Sequence, residues 1–210
     1  MHRSPGPAER QRDAERSKQQ LLDAAVIEFA AHGFGGARVS EIATRAGVNK
    51  QLISYYFGGK LGLYQAVSDR WRSGEESITE GATTLPEVVA AYARAALAEP
   101  DLARLLIRQG VDQEAAEADR ESQQIRFQAM LSDFRTRQEQ GELAGDLDPA
   151  YMGLALFALS AAPVTFPQIA QALGLNTTDP AFATNYATQI ARLVAHLGSS
   201  AATKDGGKPQ

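Results

Sequence analysis

Apolar positions recur at spacings of three and four along most of the chain, the period of helices that bury one face. The first stripe is Leu22, Val26 and Phe29, opened by a capping-box pair, Ser17 with Gln20, and closed at Gly33, where Phe34 is placed to fold back on the last turn. Upstream, Met1 to Arg16 has two prolines, a glycine and no apolar period, and reads as a mobile arm. Val39 to Ala46 forms a second helix with Ile42 and Ala43 inward. Gly47 supplies a left-handed turn, Val48 plugs the corner, and Asn49 caps a third helix beginning at Lys50 and Gln51. On that short helix Ile53 and Phe57 face the core, so Gln51 and Tyr55 face away, with Lys50 and Ser54 on one flank and Leu52 and Tyr56 on the other. Leu22, Val26, Phe29, Phe34, Ile42, Val48, Ile53 and Phe57 are the expected core of this three-helix unit.

Gly58 and Gly59 break the pattern, and Lys60 starts a fourth helix carrying Leu63, Val67 and Trp71. Beyond it the spacing predicts helices over Leu85 to Ala98, with Pro86 in the first turn, over a segment starting at Asp101, and over Gln123 to Gln140, where Phe127, Met130, Leu131 and Phe134 form one stripe. The acidic run Asp112 to Glu121 continues a helix or forms an exposed corner. Pro149 to Ala162 is almost wholly apolar, as in a helix buried on several sides, and Pro163 and Pro167 bracket a break. A last helix carries Phe182, Tyr186, Ile190, Leu193 and Leu197, and 199–210 reads as a disordered tail. The organisation expected is all-α: an arm over 1–16, a small unit over 17–62, a helical domain over 63–198 and the tail.

Composition excludes several classes. With no cysteine there is neither a disulfide framework nor a thiolate metal site, and no apolar run approaches the roughly 20 residues of a membrane span, so a cytoplasmic protein is expected. No glycine-rich phosphate loop, nucleophile elbow or paired histidines at metal spacing appear, so an enzyme, a metal and a cofactor are not expected. Charge divides the chain. Met1 to Lys60 has nine Lys or Arg against six Asp or Glu, and the remainder twelve against nineteen, so only the first portion suits a polyanion.

A short helix presenting a cation, an amide, a hydroxyl and aromatics outward, set at a fixed angle by a glycine corner, suits reading of the DNA major groove. The same small-residue and glycine spacing also occurs in helical hairpins that bind nothing. What favours DNA is the order of the pieces: a first helix ending H-G-F, then E-I-A-x-x-A-G-V, then Y-Y-F-G-G-K-x-x-L. From Ser17 to Val67 the chain resembles the DNA-binding domain of the tetracycline-repressor (TetR) family of transcriptional regulators.

That resemblance implies DNA contacts at Ser40, at Lys50, Gln51 and Leu52, at Tyr55 and Tyr56, and a phosphate grip at Lys60. Ser54 stands where the family often has tyrosine and would make a shorter contact; Arg38 replaces a usual capping hydroxyl, and Leu61 a usual glutamate. The resemblance also implies a ligand-binding, dimer-forming second domain. Trp71, Tyr92, Phe127, Met130, Phe134, Met152, Phe157 and Phe166 are candidates for lining a cavity, against the alternative that they are plain core. Phe157, Phe182, Tyr186, Ile190, Leu193 and Leu197 are the expected dimer surface, by pairing of two helices from each subunit. The expected function is a dimeric repressor of double-stranded operator DNA, released by a small, largely apolar effector. A DNA-binding regulator without an effector and a helical-bundle enzyme are the rivals.

Overall fold

The computed structural model describes residues 6–109 and 113–198, and all regular structure among them is helical. The expected tail lies outside the described residues. Among the described residues ten helices follow in order: α1 (Pro7–Gly36), α2 (Val39–Ala46), α3 (Gln51–Phe57), α4 (Lys60–Ile78), α5 (Leu85–Ala98), α6 (Pro100–Gln109), α7 (Gln113–Glu139), α8 (Pro149–Thr165), α9 (Pro167–Ala172) and α10 (Phe182–Gly198). The described residues fall into two compact units, one within Met1–Gly74 and Arg104–Asp119, the other within Glu75–Ala103 and Arg120–Gln210. One edge of this division falls inside α4.

In the first unit, α1 starts well before Ser17. Pro7 occupies its first turn, a position where a missing N–H costs nothing, and the Ser17 hydroxyl donates to the Asp13 carbonyl in mid-helix instead of capping an end. The segment read as an arm is thus helical from Pro7. Its buried stripe is Leu21, Ala25 and Phe29; Phe29 is buried as expected, but Leu21 and Ala25 take the inward places in place of Leu22 and Val26, which are only half-buried. Gly33 breaks the helix with φ 69°, and Phe34 folds back so that its ring stacks on Phe29 at 6.1 Å. Tyr64 from α4 closes this cluster edge-on, 5.0 Å from Phe29 and 5.2 Å from Phe34. Arg70 of α4 and Asp23 of α1 pair at 2.6 Å on its outside.

In the second unit α5 packs against α8 and α10. Leu85, Val89, Ala93, Phe134, Leu143, Met152, Leu156, Ile190 and Val194 form its core. The Thr84 and Glu87 side chains cap α5 reciprocally. Hydrogen bonds from the Thr84 and Thr83 backbone, then from their hydroxyls, lower the Glu87 carboxyl to about 2. Its folded value lies below its unfolded one, so this cap stabilises fully above about pH 4.5 and is lost as pH falls toward 2. Glu87→Gln is expected to flatten the parent's acid-induced loss of melting temperature between these values; superimposable curves would contradict it.

Pro163 does not end α8, which continues to Thr165. Proline has no N–H for the carbonyl four residues back, Leu159, and that carbonyl instead accepts the Tyr186 hydroxyl at 2.6 Å. The hydroxyl thus satisfies an acceptor that a proline left open. Tyr186→Phe is expected to cost about 1–3 kcal/mol, read by chemical denaturation, because it strands this part-buried carbonyl.

Candidate nucleic-acid interface

The corner between α2 and α3 is built as its sequence requires. Gly47 takes φ 66°, and its N–H and that of Val48 return to the Thr44 and Ala43 carbonyls at 3.1 Å. Asn49 Oδ1 then accepts the Gln51 N–H at 2.8 Å, which starts α3. The start of α2 carries no side-chain cap from Arg38 itself. The Arg38 N–H instead donates to Oε1 of Glu28, a buried carboxylate on α1, at 3.2 Å. A carboxylate at a helix N-terminus also complements the helix dipole. Sequence reading missed this partner because it comes from another helix, although a glutamate inside an apolar stripe is a visible signal.

On this frame Ile53 is buried and Phe57 half-buried, while Gln51, Ser54 and Tyr55 stand exposed with Lys50 at the head of the helix. Tyr55 is 79% exposed, and its ring meets that of Tyr56 edge-on at 5.1 Å. Leu52 and Tyr56 are half-buried, and Ser40 is exposed in the first turn of α2. The face therefore brings together a cation, an amide, two hydroxyl groups and an aromatic ring, the side-chain types that meet base edges and phosphates. Lys60 is placed differently. Its Nζ donates to the Gly35 carbonyl at 3.1 Å and lies 4.8 Å from the Phe34 ring centroid, so it ties the end of α1 to the start of α4.

The residues expected to line a cavity differ in burial and in the unit that holds them. Phe134 and Met152 belong to the core of the second unit, and Met130 packs against it beside Gly153, where an added Cβ would stand 2.5 Å from Met130 Cε. Phe127 lies at the surface under the Arg126 guanidinium, 4.8 Å from its ring, and Phe157 and Phe166 are also exposed. Tyr92 donates to Glu75 at 2.9 Å, and burial, then the Glu75 charge, pushes its phenol pKa well up. Trp71 belongs to the first unit; its indole N–H is buried without a hydrogen-bond partner.

The residues expected at a dimer surface divide between covered and exposed positions. Phe182 and Ile190 are covered by their own chain, and the half-buried Tyr186 donates its hydroxyl to the Leu159 carbonyl. Leu197 is half-buried, and only Phe157 and Leu193 of that set are exposed. Beside Phe157, α8 also exposes Tyr151 and Leu154, at 78% and 70%. Among the described residues no helix is long and apolar enough to cross a membrane.

Residues 21–67 match the family described as bacterial regulatory proteins, tetR family. The chain is 31% identical over 170 residues to the HTH-type transcriptional repressor SCO4008 of Streptomyces coelicolor, spanning 77% of this chain and 85% of that protein. It is 41% identical over 58 residues to the repressor NicS of Pseudomonas putida, covering 28% of this chain and 27% of that one. Among solved structures, the putative transcriptional regulator SCO4942 of Streptomyces coelicolor superposes with a TM-score of 0.71 at 27% identity, over 86% of this chain and 97% of that one.

Proposed function

Because the chain belongs to the tetR family of bacterial regulatory proteins and is a DNA-binding transcriptional regulator, we propose that it is a homodimeric repressor released from its operator by a small, largely apolar effector. The observation that carries the reading is the exposed face of α3, with Tyr55 79% exposed on a helix whose opposite side holds Ile53 at 2%. In this reading Gln51, Ser54 and Tyr55 meet bases, and Ser40, Lys50 and Tyr56 meet the backbone. Leu52 and Lys60 play supporting parts, since one is half-buried and the other is engaged with Gly35.

One short helix reads too few base pairs for useful specificity, and a two-fold dimer doubles the site. Tyr151, Leu154 and Phe157 on α8, with Leu193 on α10, supply an apolar face for that pairing. An effector that prefers a spacing of the two α3 helices unsuited to half-sites one DNA turn apart weakens binding, through a coupling of about 1–3 kcal/mol. The apolar interior of the second unit, where the flexible Met130 side chain borders the core, supports an effector with few charges.

The experiment is a thermal-shift screen of apolar and weakly polar compounds against the purified protein, with every hit then titrated into the protein–DNA complex. Compounds that raise the melting temperature are expected to release DNA. Hits that bind and leave DNA affinity unchanged throughout the screen would indicate a regulator without an effector.

A further inference from the structure

The lysines of this chain are Lys18, Lys50 and Lys60 near the start and Lys204 and Lys208 near the end; between Lys60 and Lys204 every permanent cation is an arginine. The three early lysines differ in what holds the ammonium. Lys60 is engaged with the Gly35 carbonyl and the Phe34 ring, and Lys50 stands exposed at the head of α3. Lys18 projects from α1 with Nζ 5.5 Å from the ring centroid of Tyr56, and Tyr56 in turn stands against Tyr55. Its ionic partner is Glu15 of the same helix, at 3.0 Å, with side-chain exposures of 38% and 65%.

An exposed pair of this kind contributes little and is screened by salt, so its carboxylate is readily exchanged for a stronger anion. A phosphate beside the Tyr56 ring would lie within reach of the flexible Lys18 stem, and a lysine ammonium binds phosphate as a point charge. We infer that Lys18 is a DNA-phosphate contact contributed by α1, outside the α2–α3 element, and that Glu15 is the internal anion it leaves on binding. The inference rests on α3 being the DNA-facing helix. It gives α1, which begins at Pro7, a direct part in binding beyond its part in the core.

A phosphate contact has a signature that a structural role lacks. Each neutralised phosphate steepens the fall of log affinity with log salt by about 0.9, so one contact accounts for about a 3.5-fold loss between 50 and 200 mM salt. The test is fluorescence anisotropy of the full chain on a mixed-sequence duplex and on any tightly bound fragment, across that range. K18Q is expected to weaken binding to both, with a slope shallower by about 0.9 for each Lys18 engaged. E15Q is expected to tighten binding at low salt, and K18R to keep the parent slope.

Weaker binding by K18Q with the parent slope would mean that Lys18 only steadies the Tyr56 ring, and would overturn the inference. K18Q indistinguishable from the parent would overturn it as well. Tyr55→Ala, run alongside, separates the two readings. Loss of fragment binding in Tyr55→Ala with K18Q unchanged sinks the Lys18 contact alone, whereas unchanged binding in Tyr55→Ala removes the α3 premise itself.

Discussion

Leu154→Glu is expected to convert the proposed homodimer to a monomer and to lower operator affinity toward the non-specific range, about 10³-fold or more. Leu154 is 70% exposed on α8, between Tyr151 at 78% and Phe157 at 45%. On the opposite side of the same helix Met152 and Leu156 are buried in the core of the second unit. The helix is apolar all round, yet its own chain covers only one side. In a two-fold interface a patch meets its own copy, so a carboxylate near its centre would face a second carboxylate without a partner. The substitution leaves the inner face untouched, and the monomer should keep its helical content. Light scattering across a concentration series, followed by anisotropy on DNA, reads both effects. A Leu154→Glu protein that stays dimeric at low micromolar concentration would place the pairing surface elsewhere.

The second large effect is expected at Gly62. An added Cβ there would stand 1.7 Å from the Phe57 carbonyl oxygen, which belongs to the end of α3. The backbone of α3 thus lies directly on the first turn of α4, and only glycine permits that approach. Because the clash is with backbone, no rotamer change relieves it. Gly62→Ala is expected to cost about 3 kcal/mol, the upper part of the usual overpacking range, and to lower the melting temperature by roughly 6–12 °C. Gly74→Ala, on the same helix with no atom within 4 Å of the added Cβ, is the contrast. It should stabilise by about 0.5–1 kcal/mol through helix propensity. Equal melting temperatures for the two variants would mean that the α3–α4 junction yields without strain.

The parts of this fold legible in the sequence are those set by local chemistry. The bounds of α2 follow from Gly47 and the small inner residue Ala43, and those of α5 from Pro86 and the Pro100 that follows it. Asn49 caps α3 as its side chain suggests, and the outward set Lys50, Gln51, Ser54 and Tyr55 follows from Ile53 facing inward. What was not legible depends on partners distant in sequence. The early turns of α1 are polar all round and offer no apolar period, so Pro7 was their only local signal. Pro163 reads as a break unless Tyr186 is known to satisfy the carbonyl it leaves open.

The division of α8 and α10 into covered and uncovered faces was hidden for a related reason. A clean stripe such as Phe182, Tyr186 and Ile190 marks a covered face without saying which chain covers it. Here that chain is its own. The uncovered face belongs to α8, where the absence of any polar side hid the division between Leu154 and Leu156. Lys60 shows a similar limit: its place in the motif is plain, but its engagement with Gly35 and Phe34 becomes visible only once α1 and α4 are packed.

The most direct test of α3 as the DNA-reading helix is anisotropy of the parent and Tyr55→Ala on fragments from upstream of the protein's own and neighbouring genes. Tyr55 is 79% exposed, so its loss should leave the fold intact and remove only what the ring does at the surface. Tight binding of the parent to one fragment, lost in Tyr55→Ala while helical content and melting temperature stay the same, is the result expected. Equal affinity of the two proteins for that fragment would contradict the assignment of α3 as the reading helix.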